Sequence, residues 1–191
     1  MSLNNAANYV VTQYDTITGG ANNILNNVSP GSANNFLISN GASSQPTFQI
    51  PTVATSVGTS AAPSGTSSMT YVNMGLGSSW SLTPTKYGNV KIKIDGGITG
   101  GASSQIYLIL CYGTGAAPSN GTAATGTTVG TDLITQISGA IVIDGFEFGR
   151  TYIIQGLNPG TAYWFDVQMK NGSGFSAKIL NVAFSAQEII S

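Results

Sequence analysis

The sequence predicts an all-β chain: a Greek-key or jelly-roll-like β-sandwich head over residues 69–191, preceded by an extended, strand-poor arm over residues 1–68. Three observations lead there. Val90, Ile92 and Ile94 alternate with Lys91 and Lys93, the period-2 signature of a strand with one buried and one wet face. Short apolar runs recur through the C-terminal part between turns rich in Gly, and no segment keeps a capped 3.6-residue period, so almost no helix is expected. Finally, residues 1–68 hold a single charged side chain, Asp15, among Asn, Ser, Thr, Gly and Ala, whereas the charged residues concentrate after Met69.

In the arm, Tyr9-Val10-Val11, Ile24-Leu25, Phe36-Leu37-Ile38 and Phe48-Gln49-Ile50 are separated by the turn formers Gly19-Gly20, Pro30-Gly31 and Asn40-Gly41. Ala21-Asn22-Asn23-Ile24-Leu25 recurs as Ala33-Asn34-Asn35-Phe36-Leu37, a spacing suited to short strands and tight turns. Pro51 to Ser68 reads as a linker or extended crossover. In the head, strands are expected over Tyr71 to Leu76, Trp80 to Thr83, Val90 to Ile94, Ile106 to Tyr112, Leu133 to Ile137, Ala140 to Ile143, Thr151 to Gln155, Tyr163 to Lys170 and Ala177 to Gln187. Ile106 to Tyr112 is apolar throughout and is expected to be buried on both faces. Asp144 to Gly149 reads as a hairpin turn, as does Asn171-Gly172. Pro159-Gly160 followed by Tyr163 fits a tyrosine corner, in which the ring hydroxyl returns to the backbone of the preceding turn.

Composition narrows the chemistry. Charged residues make up 7% of the chain, against about 25% in ordinary globular domains; such a surface suits packing against other protein rather than solvation. Six basic residues cannot furnish a phosphate-binding stripe, so no nucleic-acid partner is expected. The apolar run Ile106 to Cys111 is far shorter than the roughly 20 residues of a membrane span, so no membrane insertion is expected. Met1 to Asn4 carries no charged or apolar signal region, which suggests folding in a cytoplasm. With no histidine, Ser-His-Asp and Cys-His pairs and the common zinc sites are excluded. The lone Cys111 reads as a buried hydrophobe.

No catalytic, metal or cofactor-binding residue is assigned, and no cofactor is expected. The carboxylates worth weighing are Asp144 and Glu147, with Asp132 and Asp166 nearby in sequence, because glycoside hydrolysis needs two carboxyl groups about the scissile bond. No Ca2+ loop pattern accompanies them. Trp164, Tyr112 and Trp80 are the candidate interface or glycan contacts, Trp164 foremost because it alternates with Tyr163 and Phe165 and one of these two faces must point away from the core. Asn27, Asn120 and Asn171 head glycosylation-type tripeptides that read here as turn chemistry.

Leu157 to Phe175 resembles the end of a fibronectin type III module. Asn35 to Gly41 followed by Gln45 to Phe48 is similar to an L-x-S-N-G … P-x-F element of tailed-bacteriophage fibres, and Tyr112 to Gly121 with Leu157 to Phe165 resembles the sandwich module that ends such fibres. The resemblance implies a virion structural protein: a short fibre or spike, homotrimeric, held to other virion proteins by its N-terminal arm and meeting host-surface polysaccharide through loops such as Gly113 to Gly130. A capsid decoration or head-fibre protein is the alternative within this class, and a carbohydrate-binding module the alternative outside it. Neither is expected to be an enzyme.

Overall fold

A computed structural model describes residues 16–19, 25–28, 36–38, 46–49, 54–61, 63–101, 103–136 and 143–189. The chain divides into two compact units, Met1–Thr52 and Val53–Ser191. Among the described residues the first holds two antiparallel strand pairs: β1 (Thr16–Gly19) with β2 (Leu25–Val28), and β3 (Phe36–Ile38) with β4 (Thr47–Gln49). The two halves of the fibre-like element thus pair with each other, Leu37 opposite Phe48 and Ile38 opposite Thr47. Most of the Ala-Asn-Asn repeat lies outside the described residues.

The second unit contains β5 (Thr55–Ala61), β6 (Val72–Asn73), β7 (Ser81–Leu82), β8 (Val90–Gly100), β9 (Gln105–Thr114), β10 (Thr127–Gln136), β11 (Ile143–Ile154), β12 (Tyr163–Asn171) and β13 (Ala177–Glu188). One sheet runs β11-β8-β13-β5 and the other β10-β9-β12-β6, with β7 continuing the β6 edge along β12. Every pairing is antiparallel. Pairing β5 with β13, β6 with β12, β8 with β11 and β9 with β10 joins first to last and so on inward. This winding of one long ribbon into two sheets is a jelly roll. Among the described residues the sole helical piece is a 3-10 turn, Leu76–Ser78, which interrupts the edge between β6 and β7.

The alternating pattern of Val90 to Ile94 appears as expected, with Val90, Ile92 and Ile94 buried and Lys91 and Lys93 exposed. The opposing sheet contributes Ile106, Leu108, Leu110, Phe165, Val167 and Met169. Trp80 and Phe184 stack at 4.8 Å with 12° between their planes, and Phe165 lies 5.6 Å from Phe184. Such aromatic pairs contribute about 0.5–1.5 kcal/mol each beyond burial. Close packing reaches the backbone at Gly58, where a Cβ would collide with the Trp80 indole.

Three expectations need correction. Thr55–Ala61 lies in the stretch read as a linker, yet it pairs with β13 and covers Trp80, so the sandwich unit begins near Val53 rather than Met69. Asp144 to Gly149 is not a turn but part of β11, paired to β8 through a bulge between Ile143 and Phe146. Glycine there and at Gly96-Gly97 marks close approach instead of chain reversal: a Cβ on Gly96 would stand 3.0 Å from the Phe148 ring. Asn171-Gly172 turns the chain from one sheet to the other, because β12 and β13 do not pair. Its Asn171 side chain is buried and bonds Phe175 O at 2.6 Å and Ser173 N at 3.0 Å, an Asx turn in place of a hairpin. The strand expected over Ala140 to Ile143 falls largely outside the described residues.

Candidate functional site

The tyrosine corner forms as the sequence implied. Asn158-Pro159-Gly160-Thr161 closes a β-turn with Thr161 N donating to Asn158 O at 3.2 Å, and Gly160 takes φ 81°, the left-handed value a type II turn asks of its third residue. The Tyr163 hydroxyl accepts from Asn158 N at 3.0 Å. Pro159, Gly160 and Tyr163 therefore anchor the entry into β12, a structural task.

The three aromatic candidates are all committed inside the unit. Trp80 is fully buried in the inter-sheet core. Tyr112 is half-buried on the core side, its ring 6.1 Å from Tyr163 and 6.4 Å from Phe165. Trp164 does face away from the core, but it is only 7% exposed, because the β9–β10 connection folds back over it. Its indole N–H donates to Thr114 O at 3.1 Å, and Gly77, Gly113 and Gly126 leave the room it fills. Trp80 and Trp164 are closed to a partner surface, and Tyr112 is half-buried.

That connection, residues 115–126, is held against the outer face of the β10-β9-β12-β6 sheet. Asn73 N donates to Thr122 O and Gly121 N to Asn73 O, both at 2.9 Å; the Asn73 side chain bonds Ala123 O, and Gln168 Nε2 bonds Thr125 O, each at 2.8 Å. Asn120 donates to Met74 O at 3.0 Å, so this glycosylation-type Asn serves as a strut. The segment plates the sheet through these bonds, and residues 119–128 stay exposed along its outer side.

The acids serve two different purposes. Asp166 is fully buried; its carboxylate accepts from Gly75 N and Leu76 N, each at 3.0 Å, and from Val167 N at 2.7 Å, fixing the turn between β6 and β7. Burial pushes its carboxyl up to about 6 despite those donors. Glu188, absent from the sequence-based candidates, is 1% exposed at the end of β13. Its Oε1 accepts from the N–H groups of Lys86, Tyr87 and Gly88 and its Oε2 from Thr85 N, Thr85 Oγ1 and Ala54 N, at distances from 2.6 to 3.3 Å. Burial would raise this carboxyl, but the donors of Thr85, Lys86 and Tyr87 outweigh it and hold the group well below the ordinary carboxylate range. Glu188 clasps the start of the unit, the Thr85–Gly88 loop and the last strand together. Cys111 is fully buried, and burial pushes its thiol up to about 12, leaving it without nucleophilic thiolate at neutral pH.

The carboxylates weighed for hydrolysis are divided between the two sheets. Asp166 and Asp132 belong to one sheet and Asp144 and Glu147 to the other, and of Asp144 only the backbone is described. Glu147 instead shares an open groove of about 740 Å³ with Asp95, Gly96, Gly97, Gly149 and Asn181 on the β11-β8-β13 face. Asp95 is already paired with Lys93 at 2.6 Å. Among the described residues no three Cys, Asp or Glu side chains gather to hold a metal ion. Large apolar side chains are also left outward, scattered over strands and loops: Val57 is 81% exposed, Ile153 57%, Ile134 54% and Phe175 51%. No protein-family model matches the chain, and no curated protein matches its sequence.

Proposed function

We propose that this chain is a virion structural protein, a short phage fibre or spike that works by assembling with copies of itself, probing no substrate and carrying no catalytic step. The observation that supports the reading most is where its polar chemistry is used. The acids Asp166 and Glu188 and the amides Asn73, Asn120, Gln168 and Asn171 are spent on internal struts, and the space between the sheets is filled by Trp80, Phe165, Phe184 and Met169. The working part is then the outer surface, which combines very few charges with large apolar side chains left uncovered at strand edges. Jelly rolls are an architecture of viral capsid and lectin domains. On this reading the chain forms a homotrimer, residues before Val53 grip other virion proteins, and its place is the virion. Electron microscopy of purified full-length protein tests it: threefold-symmetric particles are expected, and single 191-residue bodies would overturn it. Whether the mount is tail or capsid, as for a decoration protein, is read by antibody labelling of intact particles.

One feature favours a second class, a carbohydrate-binding module. Phe175 stands exposed beside a groove of about 390 Å³ lined by Gly100, Gly101, Ser176 and Lys178, an aromatic platform next to polar donors. Binding of immobilised polysaccharides that is abolished by Phe175→Ala in a monomeric protein would move the assignment there.

A further inference from the structure

Four sheet edges end the jelly roll, and three devices blunt two of them. The β6–β7 edge is broken by the Leu76–Ser78 turn and covered by the 115–126 segment, through Asn73 N to Thr122 O and Ala124 N to Tyr71 O. The β10 edge is bulged between Val129 and Leu133, with Gly130 at φ 75°, and carries Asp132. Bulges, covers and edge charges are how monomeric sheets avoid pairing with other chains. Among the described residues, the β11-β8-β13-β5 sheet lacks such protection along two four-residue stretches, although β5 is bulged beyond Gly58 and β11 between Ile143 and Phe146. Thr55 to Gly58 of β5 and Thr151 to Ile154 of β11 hold no charged residue.

Those two stretches match each other. Glu188 N donates to Ala54 O, so the ladder with β13 uses Ala54, Ser56 and Gly58, and the N–H and C=O groups of Thr55 and Val57 point to the free side. With four antiparallel strands in order β11-β8-β13-β5, the two edge strands run in opposite directions. Copies set side by side in one orientation, as a ring requires, therefore bring β5 of one against β11 of the next in the antiparallel sense. The exposed apolar residues also fall on a common face. Ile153, Lys91, Gln187 and Thr55 form one cross-strand row, and Thr151, Lys93, Ser185 and Val57 form the next. Lys91 and Lys93 are on the wet side, so Val57 and Ile153 are too, and pairing would bury both against each other at the seam.

We infer that the β5 edge of one copy adds to the β11 edge of the next, closing three copies into a ring with a sheet continuous around the threefold axis. This rests on the assembly reading and names its surface. Head-to-tail contacts of this kind close into rings when the rotation allows, whereas a β5 edge pairing with its own copy would give twofold dimers. The test is cysteine cross-linking in the full-length chain, where the native Cys111 is buried and silent. Val57→Cys combined with Ile153→Cys or Thr151→Cys is expected to give covalent dimer and trimer bands under mild oxidation, while Val57→Cys alone gives none. Covalent dimers from Val57→Cys alone would overturn the ring in favour of twofold pairing. A wild-type protein that is trimeric by light scattering but yields no cross-link with either double variant would overturn the edge assignment and leave the assembly reading standing. A monomeric wild type would remove both. As a control on folding, Val57→Pro deletes only an outward N–H, and it is expected to dissociate the assembly with its far-ultraviolet circular dichroism unchanged.

Discussion

Glu188→Gln is the substitution with the largest expected effect outside the apolar core. The wild-type carboxylate accepts six hydrogen bonds, three at each oxygen. The amide keeps one oxygen and turns an NH2 toward donors that surrounded the other, orphaning two backbone N–H groups while the Thr85 hydroxyl can rotate. Each buried donor left unpaired costs about 1–3 kcal/mol, so the loss is about 3–5 kcal/mol. For a unit of this size that lowers Tm by roughly 10–20 °C. Differential scanning calorimetry at pH 7 measures it, with Thr85→Val, which removes only a hydroxyl, expected to lose about 1 kcal/mol. The same variant reports on pH. Because the folded carboxyl is held below its ordinary value of 4.5, its contribution is complete above that pH and is lost as pH falls. Wild type should therefore lose stability on acidification below about 4.5, and Glu188→Gln should be nearly flat over that window. A Tm for Glu188→Gln within about 3 °C of wild type would falsify the clasp, since no reading of six satisfied bonds predicts so small a change.

Asp166 behaves oppositely: its folded carboxyl is raised from 3.8 to about 6, so its contribution is complete below 3.8 and lost as pH rises through 6. Urea titrations of wild type should show stability falling by about 3 kcal/mol between pH 4 and 7, a slope that Asp166→Asn removes; an unchanged slope in the variant contradicts the assignment. Tyr163→Phe keeps the ring and deletes the acceptor of Asn158 N, with an expected cost of about 1 kcal/mol in the same titration and none if water replaces the hydroxyl fully. A chain starting at Met69 lacks β5, uncovers Trp80 and the β13 edge, and should aggregate, whereas one starting at Val53 should melt cooperatively; cooperative melting of both would show β5 to be dispensable.

The alternation of Val90 to Ile94 and the Pro-Gly-x-x-Tyr corner were legible because each is decided within a few residues, by strand period and by turn chemistry. Long-range partners were not. Thr55–Ala61 has the composition of a linker, and only the distant β13 and the Trp80 ring beside Gly58 make it a strand. The alternation around Trp164 required one face to point away from the core, but the cover over that ring comes from a loop whose path depends on Asn73 and Gln168. Asp144 to Gly149 carried every local sign of a turn, and the sheet overrode it with a bulge. Glu188 did leave a trace: it falls in phase with Val182, Phe184 and Ala186, so an acid was due to point inward at the end of a strand. The loop that receives it, Thr85 to Gly88, is about a hundred residues earlier and offers no motif beyond a Pro and a Gly.

On the proposed assembly, this surface exists to be covered by copies of itself. Light scattering on the full-length chain after size exclusion, over a hundredfold range of concentration, tests it most directly. A mass about three times 19.5 kDa is expected, falling to a single chain with Val57→Pro. A wild-type mass of one chain throughout that range would contradict it.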